Sequence, residues 1–232
     1  MTQIYVPTTS PEDWQRLLKD PVKHWKTGYS ARTLAYCWHE ANGLPTEITS
    51  LFTSSDEIAL HSVQPLLILP EKITPVAGRG EPPHSDVFVL AKAADGHLIS
   101  LTVEGKVNES FGNQNQRVQA WKQAGNVANH RVRLDQLLDK IQLNETQADE
   151  VAYQLVQRTA SAVIEAETFN ARYAVMIVHS FSPTHTNYDA FLTFVAAYGK
   201  VYEAGQLIEI AKYGDIRLVV GWAQGHERYL AL

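Results

Sequence analysis

The stretch T102-V-E-G-K-V-N-E-S-F-G112 carries an acid and a lysine two residues apart inside an otherwise apolar run. In a β-strand, side chains alternate between the two faces. Val103, Gly105 and Val107 therefore point to one face, and Thr102, Glu104 and Lys106 to the other. An acid and an ammonium on one face of a central strand are costly unless they are paired, metal-bound or open to a cleft.

The neighbouring sequence supplies the partner strand. DVFVLAKA (residues 86–93) and HLISLTVEGKV (residues 97–107) are both strand-like, and the Asp95-Gly96 turn signal between them predicts an antiparallel hairpin. Asp86 heads the first strand of that hairpin, close to Glu104 across the ladder. Two carboxylates and a lysine then converge at one end of a sheet. The chemistry suited to that trio is metal-assisted phosphodiester hydrolysis. Carboxylates hold Mg²⁺ or Mn²⁺, the metal activates a water, and the lysine orients or deprotonates that water and offsets charge.

Outward from the hairpin, SARTLAYCWHEANGLP (residues 30–45) has apolar residues at helical spacing and stops at Asn42-Gly43. LLIL (residues 66–69), bounded by prolines, is a short buried strand, and the Gly/Pro-rich VAGRGEPPHS is a loop. DQLLDKIQL (residues 135–143) predicts a short helix, and Gln147 to Phe169 a longer one with Val151, Leu155, Ala162 and Val163 inward. YAVMIVHSF is a buried strand, NYDAFLTFVAAYG a helix, and GQLIEIAK and RLVVGWAQG closing strands. This order predicts an α/β fold with a central mixed sheet flanked by helices. A single domain is expected over 1–232, with residues 1–28 as an N-terminal extension to a core over 29–232.

Asp86, a hairpin and then Glu104-x-Lys106, with 18 residues from Asp86 to Glu104, resembles the D…(D/E)xK signature of the PD-(D/E)xK nuclease superfamily. That resemblance implies a restriction-endonuclease-like core, metal ligation by Asp86 and Glu104, and Lys106 as the catalytic lysine. It further implies an acid from the first core helix, for which Glu40 is the candidate, and a polar residue from the long helix, for which Gln154 is the candidate. On that helix Gln154, Arg158, Ser161 and Glu165 share one face. A more extensive likeness runs through YSARTLAYCWHEANGLP, VEGKVNESFG, YQLVQRTASAVIEAETF and VMIVHSFSP, which are similar to a bacterial family of the same nuclease-like kind whose role is uncharacterised. One departure is that Pro83 lies three residues before Asp86, where the superfamily's proline usually directly precedes the aspartate.

Composition bounds the function without choosing it. The chain is 45% hydrophobic and carries a formal net charge of −5, which does not advertise nucleic-acid binding. The segment Ser110–Leu134 nevertheless has no acid and contains Arg117, Lys122, Arg131 and Arg133 among amides that include Asn113, Gln114 and Asn115. Flanking the cleft, it is expected to contact phosphate. The expected partner is nucleic acid, DNA rather than RNA, with the oligomeric state open between monomer and homodimer. A catalytically inactive nuclease fold used for binding or assembly is the alternative. No stretch approaches the roughly 18 apolar residues of a membrane span. No secretory leader is expected from MTQIYVPTTSPEDW, and the lone Cys37 fits a cytoplasmic, reducing setting. Cys37 reads as a buried small hydrophobe, Glu109 as a strand-end acid and His179 as a hydrogen-bonded core histidine. The histidines match no closed zinc pattern, and no serine-nucleophile elbow is present.

Overall fold

The computed structural model describes Tyr5 and residues 7–111 and 116–232. Asn113, Gln114 and Asn115, part of the amide-rich segment, lie outside the described residues. After a 3₁₀ turn at Pro11–Leu17, the helices are α1 (Pro21–His24), α2 (Ser30–Ala41), α3 (Thr46–Thr53), α4 (Val118–Trp121), α5 (Val127–Ile141), α6 (Glu145–Ala148), α7 (Tyr153–Phe169) and α8 (Tyr188–Ala196). The strands are β1 (Gln64–Ile73), β2 (His84–Lys92), β3 (Leu98–Lys106), β4 (Tyr173–Ser180), β5 (Leu207–Tyr213) and β6 (Ile216–Gln224). They form one sheet in the order β1-β2-β3-β4-β6-β5. The pairs β1–β2, β2–β3 and β5–β6 are antiparallel, whereas β3–β4 and β4–β6 are parallel. The fold is α/β with a six-stranded mixed sheet flanked by helices.

The sheet separates two cores, and the alternation along β3 assigns each side chain to one of them. Val103 and Val107 pack with Leu34, Val87 and Ile177 on the α2 face. On the other face, Val163 and Ala162 of α7 pack with Met176 and Val178 of β4. Buried on both faces, β4 is an unbroken apolar run, as a parallel central strand requires. The polar residues of β3 all face α7. Ser100 Oγ donates to the carbonyl of Ala162 at 2.8 Å and Thr102 Oγ1 to that of Arg158 at 3.1 Å. Small residues of α7, Ala160, Ser161 and Ala162, let the helix approach closely enough for those bonds to form.

Three expectations need correcting. β1 extends to Gln64–Ile73 and includes Pro65 and Pro70, which an edge strand tolerates because one side of its backbone has no ladder partner. Helix α5 starts at Val127, capped by Asn126, whose side chain accepts from the Asn129 N–H. Eight residues of the expected polar connection are therefore its first two turns. The long helix is broken: the chain turns at Asp149 and Glu150, where backbone bonds from Val118 and Gln119 to the carbonyls of Val151 and Asp149 engage the segment between α6 and α7. Ahead of α2, the segment expected as an extension packs onto the core through Trp14, 5% exposed.

Gly105 marks where α2 meets the sheet. A Cβ there would lie 2.1 Å from Leu34 Cδ1, so only glycine admits this approach. We predict that Gly105→Ala costs about 1–3 kcal/mol, the usual range for overpacking, and that Leu34→Ala costs less in that background than in the wild type. Urea denaturation of the two single variants and the double variant measures the coupling.

Candidate metal centre

Asp86, Glu104 and Lys106 line one cavity of about 410 Å³, together with Gln154 and Arg158 from α7. The β2–β3 register, with Val87 opposite Val103, sets Asp86 across from Glu104. Asp86 Oδ2 accepts the N–H of Gly105 at 2.7 Å, which ties the aspartate to the peptide between Glu104 and Lys106. Glu104 is 2% exposed and Lys106 4%. Lys106 Nζ donates to Glu104 Oε1 at 2.6 Å and to Gln154 Oε1 at 3.3 Å, and it lies 4.9 Å from the Phe111 ring centroid. Gln154 Nε2 also donates to Glu104 Oε1, and Arg158 Nε donates to Glu104 Oε2, each at 2.5 Å.

The two carboxylates titrate in opposite directions. Burial works against the Glu104 charge, but the Arg158 guanidinium and the Lys106 ammonium outweigh it and hold the group below the ordinary glutamate value. Asp86 lies well above the ordinary aspartate value, first because its carboxyl is buried, then because of the Glu104 and Glu71 charges. Asp86 is therefore a carboxyl whose charge the fold disfavours and a nearby cation would favour.

Two acids on the cavity wall have different standings. Glu109 Oε1 accepts the N–H of Ser30 at 2.8 Å and Oε2 that of Val107 at 2.8 Å. It is more than the strand-end acid expected, because it holds the start of α2 against the end of β3. Glu71, on β1, has φ +51 and turns into the cavity, with its Oε2 3.6 Å from His84 Nδ1. No sequence pattern marks it, since a lone acid between Pro70 and Lys72 reads as an ordinary exposed strand residue.

Glu40 is corrected. It pairs with Arg228, more than half exposed, and lines a different depression with Cys37 and Glu47. Helix geometry is the reason: Ser30 and Ala31 reach the cavity at the start of α2, whereas Glu40 lies about 14 Å further along the axis. The cations of Ser110–Leu134 are corrected as well. Arg117 pairs with Glu150, Lys122 with Glu145 and Asp149, and Arg131 with Asp135 and Glu145. Arg133 donates to the carbonyls of Ala77, Arg79 and Glu81 at 2.9–3.2 Å. None of the four lines the cavity. Of the polar face of α7, Glu165 pairs with Lys72 at 2.7 Å and with Thr74, remote from the partners of Arg158.

His179 is a buried, hydrogen-bonded histidine, as expected, but its setting includes Cys37 and Glu47. Among the described residues, these three form a group whose candidate ligand atoms lie within 4.8 Å of one another. The indole N–H of Trp38 points at His179 Nδ1 at 3.3 Å, and His179 Nε2 lies 2.8 Å from Glu47 Oε1. An indole nitrogen only donates, so Nδ1 accepts and Nε2 carries the proton. A metal on Nε2 would force that proton onto Nδ1, against the indole N–H. Burial, then the Glu47 charge, also push the Cys37 thiol far up. The group is a hydrogen-bonded chain between α2, α3 and β4, and the candidate centre remains at Asp86 and Glu104.

Two outcomes are expected. Glu104→Gln strands Arg158 and Lys106 and should cost about 3–5 kcal/mol in urea denaturation, as for other broken buried pairs, with Arg158→Met restoring part of it in the double variant. For Asp86 the raised folded value means stability present below the unfolded value, near 4, and lost as pH rises through the folded one. In metal-free buffer, Asp86→Asn should therefore be more stable than wild type at neutral pH and not at pH 3. Each pH unit between the unfolded and folded values is worth about 1.4 kcal/mol. Thermal melts across that pH range check it.

The family model described as "Domain of unknown function (DUF6946)" matches residues 7–227, nearly the whole chain, and the chain belongs to that family. No curated protein and no solved structure matches it. No helix among the described residues is long and apolar enough to cross a membrane.

Proposed function

We propose that this family member is a metal-dependent phosphodiesterase with a PD-(D/E)xK site that cuts nucleic acid, with DNA as the expected substrate in a cytoplasmic setting. The observation that carries the reading is the meeting of Asp86, Glu104 and Lys106 in one cavity, with Gln154 reaching in from α7. The order of elements around them, a helix, three antiparallel strands, a helix and a strand parallel to the third, supports it.

The donor set fits a hard divalent cation, Mg²⁺ or Mn²⁺. Asp86 uses Oδ2 on the Gly105 N–H and keeps Oδ1. Glu104 Oε1 already accepts from both Lys106 and Gln154, while Oε2 accepts only from Arg158. These two oxygens are the ligands the chain offers, and Asp86 is a carboxyl that a cation would hold ionised. Bound there, such an ion supplies charge for the phosphoryl oxygens and acidifies a water. Lys106 has one N–H left after Glu104 and Gln154, aimed by those two bonds, to orient that water or a phosphoryl oxygen. Gln154 bridges Lys106 and Glu104 and keeps them in register.

A second reading, a nuclease fold that binds or assembles without cutting, draws on Arg158. With Lys106 it already compensates the Glu104 charge without an added ion. The readings separate on two measurements. Lys106→Ala should lower cleavage of mixed DNA and RNA by about 10²- to 10⁴-fold while calorimetric Mg²⁺ or Mn²⁺ binding persists. A wild-type protein that takes up neither metal would favour the non-catalytic reading.

A further inference from the structure

We infer that the cavity admits an unpaired strand and not a double helix, so that the substrate is single-stranded nucleic acid or a frayed end. The inference rests on the function proposed above and specifies its substrate class. One wall of the cavity comes from the segment ahead of α2, through Leu18, Lys19, His24 and Tyr29. The facing wall includes Glu81 and His84, and Lys19 forms an ion pair with Glu81 from one wall to the other. Asp86 and Glu104 line the same cavity, which is partly open to solvent. Its volume, about 410 Å³, suits a group the size of a nucleotide. A strand held in a duplex reaches such a site only by leaving its partner, at an unpairing cost that a single strand does not bear.

Electrostatics point the same way. Duplex binding draws its affinity from several phosphates neutralised at once by lysine and arginine along a surface. Here the four cations of Ser110–Leu134 are engaged by acids and carbonyls of the chain itself. The protein has a formal charge of −5, and the cavity lining has more carboxylates than cations. What the cavity offers instead is the aromatic ring of Tyr29. Tyr29 is 40% exposed beside the first turn of α2, and Lys26 Nζ lies 5.6 Å from its ring centroid. With the Lys26 ammonium over one face of the ring, the other face can stack a base while the ammonium contacts its phosphate, which is how single strands are held without duplex structure.

The test is fluorescence anisotropy of the intact protein in Ca²⁺, which takes oxygen ligands as Mg²⁺ does. The labelled probes are deoxyuridine and uridine oligonucleotides and a blunt DNA duplex. The expected result is single-strand binding at least about tenfold tighter than duplex binding, with a shallow salt slope of about one to two. Tyr29→Ala should remove most of that preference, about tenfold for one lost stack, and Tyr29→Phe should keep it. Calcium affinity, measured by calorimetry, should be the same in both variants. Relative binding of the two single strands identifies the sugar, and either one binding in preference to the duplex supports the inference. Duplex binding as tight as single-strand binding, or an unchanged preference in Tyr29→Ala, overturns the inference and leaves the nuclease proposal standing. Binding of neither probe, with no calcium uptake, overturns both.

Discussion

A buried carboxylate on the α7 face of β3 is the constraint on which the rest depends. Glu104, 2% exposed, would be untenable alone in a sheet interior. It is held ionised by Arg158 from the helix above and Lys106 two residues along its own strand. Those contacts fix the rotation of α7, because Arg158 and Gln154 can reach one carboxylate only if the face they share looks down on the end of β3. The same rotation brings the small residues of α7 over Ser100 and Thr102. The ion cluster and the helix packing are thus one arrangement, and removing one charged partner would leave the others buried and uncompensated.

The opposite face of β3 shows the complementary requirement. At Gly105 the strand has no side chain, and Leu34 fills the space. The peptide that α2 presses upon is the one whose N–H holds Asp86. Packing on one side of the sheet therefore positions the Asp86 carboxyl of the candidate site at its end. Glu109 reinforces the link by joining the start of α2 to Val107. Arg133 anchors the backbone of Ala77, Arg79 and Glu81 in the same way, so that the wall bearing Glu81 is held from α5.

Much of this was legible in the sequence, because a period of two is unambiguous where apolar and charged residues alternate. That period put Glu104 and Lys106 on one face, and the Asp95-Gly96 turn put Asp86 beside them. The rest was hidden for identifiable reasons. Four polar residues share a face of α7, and only the crossing of α7 over β3 decides that Arg158 meets Glu104 while Glu165 meets Lys72. Glu40 falls on a helix whose opposite end enters the cavity. Glu71 turns inward through a left-handed backbone that a glutamate rarely adopts. The basic segment looked free because its acidic partners, Glu145, Asp149 and Glu150, come later in the chain.

The central claim is that Asp86 and Glu104 form a cation site, and a crystal structure of the wild-type protein soaked in Mn²⁺ tests it most directly. The expected result is an anomalous peak within coordination distance, about 2.1–2.3 Å, of one oxygen from each carboxylate, with Lys106 still beside Glu104. A map with no peak there, and with Arg158 and Lys106 alone on Glu104, would contradict the claim. So would a peak at Cys37, Glu47 and His179 in its place.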